Sequence, residues 1–211
     1  MAMQLNLLKA NLRNNIYGKT MGVNIVLSSP SGAGKTTITK KLSQKYPNIK
    51  ISISHTTRKP RSNEIDGVDY YFVDKIKFQK LIEEGNFYEY AKIFDNYYGT
   101  SKALVKKLQD QNFDVVFDID WQGTKKLSKF KELNLVKIFI LPPNKTELKK
   151  RLNKRNQDSK IANDKRLMQY DNDILHWEDY DYIVINNDLE KCFSQIEQII
   201  RNHKKDKMSY I

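Results

Sequence analysis

Residues 29–37 read Ser29-Pro30-Ser31-Gly32-Ala33-Gly34-Lys35-Thr36-Thr37, a run of small residues closed by one lysine and two hydroxyls. That composition at that spacing is suited to phosphate. Small side chains let the backbone N–H groups of Ser31, Gly32, Ala33 and Gly34 turn inward around phosphate oxygens. Lys35 adds a mobile cation and Thr36 a hydroxyl for Mg²⁺. Thr37 falls in the first turn of the helix that follows, whose N-terminus carries partial positive charge. The matching ligand is a nucleoside triphosphate. The G-x-x-x-x-G-K-[ST] pattern expects glycine where this chain has Ser29, and serine serves there if its φ is negative.

Arg58 and Arg61 lie three apart around Pro60, so they can converge on one anion from a rigid turn, and a guanidinium fork suits phosphate oxygens better than an ammonium does. A pair of solvated surface arginines is the competing reading. Asp118 ends the apolar run Val115–Phe117, at the strand end where ligands of an open parallel sheet collect. It has the place of the acidic group that holds Mg²⁺ beside a phosphate loop, against the plainer role of capping a turn. His55, His176 and His203 show no metal-ligand spacing and read as structural or exposed, and Trp121 and Trp177 as packing residues.

The elements that must position these groups follow from periodicity. The apolar run Val23–Leu27 precedes the loop as a buried strand, and Ile38 and Leu42, with Lys40, Lys41 and Lys45 outward, mark a helix after it. Further strands are expected at 49–54, 70–73, 87–94, 115–120, 135–141 and 182–185. Helices are expected at 75–84, 102–108, 144–151, 166–175 and 189–202, with Asn96–Thr100 as a turn. Asn144 and Glu147 make a capping-box-like start. Residues 153–165 are charged and apolar-poor, the pattern of a mobile segment. Buried strands alternating with helices imply an α/β fold with a parallel sheet covered on both faces.

Composition narrows the class. The chain has 211 residues, enough for one domain with a sizeable core. No apolar run approaches the roughly 20 residues that span a bilayer. Cys192 is the only cysteine, so an internal disulfide is ruled out and a reducing cytoplasm is the default compartment. Net charge is +12, and it is unevenly placed: residues 1–63 hold eight Lys and three Arg without an acid, while the rest balance 26 basic against 25 acidic residues. A basic third around the loop suits small polyanions; a nucleic-acid surface competes with that, but no zinc-finger spacing or RNP-type motif supports it. Residues 1–20 read as an extension outside the core.

Ser52–Arg61, Asn96-Tyr97-Tyr98-Gly99-Thr100 and Asp118-Ile119-Asp120-Trp121-Gln122-Gly123 stand in order behind the phosphate loop. Together these four blocks resemble the signature of the guanylate kinase family over about residues 22–203. The resemblance implies a phosphate-loop kinase fold: a core of residues 21–53 and 102–211, a lid at about 153–165, and a small, mostly β GMP-binding insert at 54–101. It implies Mg²⁺-dependent transfer of the ATP γ-phosphoryl group to GMP or dGMP, by a monomer or homodimer that needs neither nucleic acid nor membrane. By resemblance Arg58 and Arg61, with Tyr70 and Tyr98, hold the GMP phosphate. Glu89 and Asp120 read the guanine edge beside Ser54 and Thr100. Thr36 and Asp118 serve the metal, Arg151 the ATP, and Lys35, Arg58, Arg155 and Arg166 the transferring group. Read without the resemblance, Glu89 is a strand-edge charge, Asp120 a helix cap, and the lid arginines helix-surface charge. The family's usual Pro-Gly after the arginine pair is Ser62-Asn63 here, and Asn156 replaces the glycine after the first lid arginine. A catalytically inactive guanylate-kinase-like interaction module is the alternative, and such modules typically lose the phosphate-loop and lid residues that this chain keeps.

Overall fold

The computed structural model describes residues 22–93, 95–154 and 160–209; the extension at 1–20 and Arg155 lie outside the described residues. Among the described residues nine strands form two sheets. β1 (Asn24–Ser28), β2 (Ile49–Ile51), β7 (Asp114–Asp118), β8 (Leu135–Leu141) and β9 (Tyr182–Ile185) make a parallel sheet ordered β2-β7-β1-β8-β9. Side chains of successive strand residues point to opposite faces, and the apolar sequence fills both. Ile25, Leu27, Val116, Ile138 and Ile140 join one core cluster with Ile38 and Leu42 of helix α1 (Lys35–Lys45) and Phe193 and Ile196 of the C-terminal helix. Val26, Val115, Phe117 and Phe139 join a second cluster on the other face. A sheet buried on both sides explains why these strands read as continuous apolar runs.

Residues 55–101 build a second sheet, ordered β4-β3-β6-β5, from β3 (His55–Thr56), β4 (Tyr71–Phe72), β5 (Phe87–Ile93) and β6 (Asn96–Ser101). Helix α2 (Lys75–Glu83) packs Phe78 against it; Asp74 caps that helix by accepting from the Lys77 N–H at 2.7 Å. Helices α3 (Lys102–Asp110), α4 (Trp121–Leu127), α5 (Lys145–Lys154), α6 (Lys160–Asp173) and α7 (Leu189–Ser209), with short 3₁₀ turns at Lys131–Leu133 and Ile174–Asp179, complete the described elements. Among the described residues no helix is long and apolar enough to cross a membrane.

Several elements differ from their sequence expectation. Residues 96–100, expected as a turn, are strand β6, because β3 and β5 pair with them on both edges. β2 stops at Ile51, although the Ser52 N–H still donates to Val116 O at 2.9 Å. Helix α6 starts at Lys160, inside the segment expected to be mobile, and α7 runs on to Ser209. Asn144 accepts from the Glu147 N–H at 2.8 Å, but the Glu147 carboxylate takes the Arg151 Nε–H instead of closing a capping box.

Candidate active site

β1 lies centrally, with β7 and β8 on either side, so the connections leaving the sheet diverge there and open a crevice at the carboxyl ends of the strands. The phosphate loop leaves β1 at that edge. Asp118 ends β7 in register with Leu27, one residue before the end of β1. The crevice is a cavity of about 780 Å³.

At the donor end, Gly32 and Gly34 take φ of +92° and +105°. The need at Gly34 is also steric: a Cβ there would stand 2.4 Å from Asn186 Nδ2. That amide donates to Ala33 O at 2.7 Å and tethers the loop to the end of β9. Outside glycine, positive φ among the described residues occurs only at Asn112 and Asn134, so Ser29 meets its condition. Gly34 caps α1 without a side-chain hydrogen bond, which leaves the helix's first N–H groups to the crevice. Lys35 Nζ pairs with the Asp118 carboxylate and donates to Ile119 O at 3.2 Å. Ser31, Thr36, Thr37 and Arg151 line the cavity, and Arg166 Nη1 reaches Ser31 Oγ at 3.3 Å. Arg151 is held by Asn186 O at 3.0 Å and by Glu147. Ala33 is buried beneath the loop; its N–H closes a turn on Pro30 O at 3.2 Å.

At the other end, Arg58 and Arg61 do converge on one anion, the carboxylate of Glu64. Arg58 Nη2 and Arg61 Nη1 donate to its Oε1 at 2.8 and 3.3 Å, and the Arg61 backbone N–H donates to Oε2 at 2.8 Å. These contacts, set against burial, hold the Glu64 carboxyl below its ordinary value. The Arg58 guanidinium lies 5.4 Å from the ring centre of Tyr70, which packs edge-on to Tyr98. Burial pushes the Tyr70 hydroxyl well above its ordinary value.

Glu89 is no strand-edge surface charge. It is 4% exposed on β5 and accepts from Thr100 Oγ1 at 2.5 Å. Burial pushes its carboxyl up to about 7; the Thr100 hydrogen bond opposes this and the nearby Asp120 charge adds to it. Asp120 is the N-cap of α4, accepting from the Gly123 N–H at 2.8 Å through Oδ1, and it also lines the cavity. Burial raises its carboxyl as well. Ser54, Arg58, Arg61, Tyr70, Glu89 and Tyr98 line this end. Thr100 stands behind it, its hydroxyl spent on Glu89. One cavity therefore holds a phosphate loop with its lysine, a pair of guanidinium groups, and a buried and a half-buried carboxylate, Glu89 and Asp120, both with raised affinity for protons.

A family model described as guanylate kinase matches residues 21–203. The chain belongs to the guanylate kinase family. It is 48% identical over 187 residues to a guanylate kinase of Rickettsia bellii, an alignment covering 89% of this chain and 97% of that one. It is 45% identical over 179 residues to one of Paramagnetospirillum magneticum, covering 85% and 84%. The crystal structure of guanylate kinase from Anaplasma phagocytophilum superposes with a TM-score of 0.73 at 36% identity over 87% of each chain.

Three site residues escaped the sequence reading. Glu64 carried a faint signal, being the chain's first acidic residue and three positions after Arg61. Asn186 directly follows β9 in a polar run but has no motif. Asp173 shares a cavity-lining face with Arg166 and Gln169 at the i, i+3, i+7 spacing of one helix side, and that spacing was legible.

Proposed function

We propose that the chain transfers the γ-phosphoryl group of ATP to GMP, giving ADP and GDP, with dGMP as a second acceptor. The carrying observation is the buried Glu89 carboxylate in the same cavity as the phosphate loop. Guanine presents two adjacent donors, N1–H and the 2-amino group, where adenine does not, and a paired carboxylate takes both. A pocket that leaves this carboxylate without partners when AMP enters rejects AMP strongly.

In this reading the triphosphate sits on the loop N–H groups and Lys35, and the acceptor phosphate replaces the Glu64 carboxylate between Arg58 and Arg61, helped by Tyr70 and Tyr98. Glu89 and Asp120, flanked by Ser54 and with Thr100 orienting Glu89, hold the base. Residues 54–101 then form the acceptor insert, residues 21–53 and 102–211 the core, and residues 153–165 the lid. The attacking oxygen is already an ionised phosphate, so alignment and charge neutralisation by Lys35, Arg151, Arg155 and Arg166 suffice without a strong base. Thr36 and Asp118 both line the cavity and offer hard oxygen donors, a set that fits Mg²⁺. When bound, that ion screens the phosphate charge. The setting proposed is the cytoplasm, with small-molecule substrates and no nucleic acid or membrane.

An ADP-release assay with GMP, dGMP, AMP and UMP as acceptors tests the reading. Turnover with GMP, abolished by chelating Mg²⁺ and absent with AMP, is the expected result. ATP binding without turnover of GMP would refute it and favour an inactive interaction module.

A further inference from the structure

Trp121, expected as a packing residue, is gripped on two sides, by the last residue of helix α6 and by the 3₁₀ turn Ile174–Asp179 that follows it. Its Nε1–H donates to Asp173 Oδ1 at 3.1 Å. Its indole stacks on His176 with ring centres 3.5 Å apart and planes 13° from parallel. Trp121 opens helix α4 directly after Asp120, so it is rigidly tied to the acceptor end of the cavity. Asp173 lies two helical turns beyond Arg166 on the same face of α6, and Gln169 lies between them; all three line the cavity. The Asp173 carboxylate is partly buried, and burial pushes it up to about 6 against the pull of the Trp121 hydrogen bond.

We infer that Trp121 is a positioning residue for phosphoryl transfer: its N–H bond to Asp173 and its stack on His176 fix the rotation of α6 and thereby aim Arg166 at the phosphate loop. This rests on the proposed role of Arg166 at the transferring group. The physical reason is geometric. A helix slip of one residue turns a side chain by about 100°, enough to carry Arg166 off the cavity, where its Nη1 reaches Ser31 Oγ at 3.3 Å. Lys145 on Asp171 and Asn163 Nδ2 on Leu152 O, at 2.5 and 3.3 Å, tie α6 to α5, and Trp121 ties the end of α6 to the acceptor side of the cavity. Two contacts of different kinds, an edge hydrogen bond and a face stack, define an orientation that either one leaves free. The indole thus links the residue that reads the acceptor base to the helix that carries a charge for the transfer.

The test is single-turnover and steady-state kinetics of Trp121→Phe, Asp173→Ala and Asp173→Asn, each also made in an Arg166→Ala background. Phenylalanine keeps a ring for His176 but removes the donor. Trp121→Phe is expected to lower kcat about ten-fold or more while KM for GMP and ATP each stay within about three-fold. Asp173→Ala should match it, Asp173→Asn, which keeps an acceptor oxygen, should recover most of the loss, and Trp121→Phe with Asp173→Ala should be no worse than either alone. With Arg166 already removed, Trp121→Phe should cost nothing further. Melting curves separate these effects from unfolding. Full kcat in Trp121→Phe, or an equal loss in both backgrounds, overturns the inference while leaving Arg166 its role. Full kcat in Arg166→Ala overturns the role of Arg166, and with it any function for its positioning.

Discussion

Glu89→Gln sets catalysis and stability against each other. In the protein without acceptor, burial pushes the Glu89 carboxyl from 4.5 to about 7. A shift of that size corresponds to about 3 kcal/mol held against ionisation. The sign follows from which form folding favours. The protonated carboxyl is the favoured one, so the cost is absent below pH 4.5, grows as pH rises, and is complete above about 7. Glutamine carries no such cost and keeps an oxygen for the Thr100 hydroxyl. The variant should therefore melt several degrees above the parent at pH 8 and lose that advantage near pH 4.5. Guanine sees the opposite. Its two donors lose one charge-assisted bond outright, meet an opposing NH₂ group, and keep one weaker bond. At about 1.5–3 kcal/mol for each charged bond, this amounts to about 3–4 kcal/mol, or on the order of 10²- to 10³-fold in kcat/KM for GMP. The parent kcat/KM for GMP should climb with pH through about 7, where the free carboxyl ionises, and the variant should show no such limb. Calorimetric melts at pH 8 and pH 4.5, ADP-release kinetics from pH 5.5 to 8.5, and ATP titration supply the readouts. A loss for GMP under three-fold, an equal loss of ATP affinity, or a lower melting temperature at pH 8 would refute the reasoning.

Asn186→Ala removes the buried donor to Ala33 O and frees the phosphate loop from β9. The expected result is a stability loss of about 1–3 kcal/mol with KM for ATP raised about ten-fold and KM for GMP unchanged, read by thermal melting and initial rates. Arg58→Lys replaces a planar fork that bridges Glu64 and Lys59 O with a single point charge; KM for GMP should rise at least ten-fold and KM for ATP should not, measured by varying each substrate at saturation of the other.

The local features of the site were legible because they depend on neighbours in sequence. The glycine spacing, the apolar strand before it and the helical pattern after it required no partner from elsewhere. β8 and β9 were read at their observed limits, since each is a short apolar run closed at both ends by polar residues or proline, although β9, at the edge of the sheet, buries only Val184. Failures fell where a distant partner chose the conformation. Asn96-Tyr97-Tyr98-Gly99-Thr100 was read as a turn from Asn96 and Gly99, and pairing with β3 and β5 makes it a strand, in which its tyrosines and threonine sit well. The start of α6 has no apolar stripe, so its helicity gave no periodic signal.

What the sequence by itself determined is the chemistry available: a loop built for phosphate, two arginines spaced to share an anion, carboxylates at strand ends, and a parallel α/β frame to carry them. What only the tertiary structure decided is which groups meet and in what electrical state. Asn186 tethering the loop from β9 and Asp173 reaching Trp121 are contacts across 153 and 52 residues of separation. The raised carboxyl of Glu89 comes from burial among side chains that converge only after folding. Spacing along a chain constrains a residue to its near neighbours, whereas burial and charge coupling depend on distance in space, and that distance exists only once the two sheets and their helices have closed around the cavity.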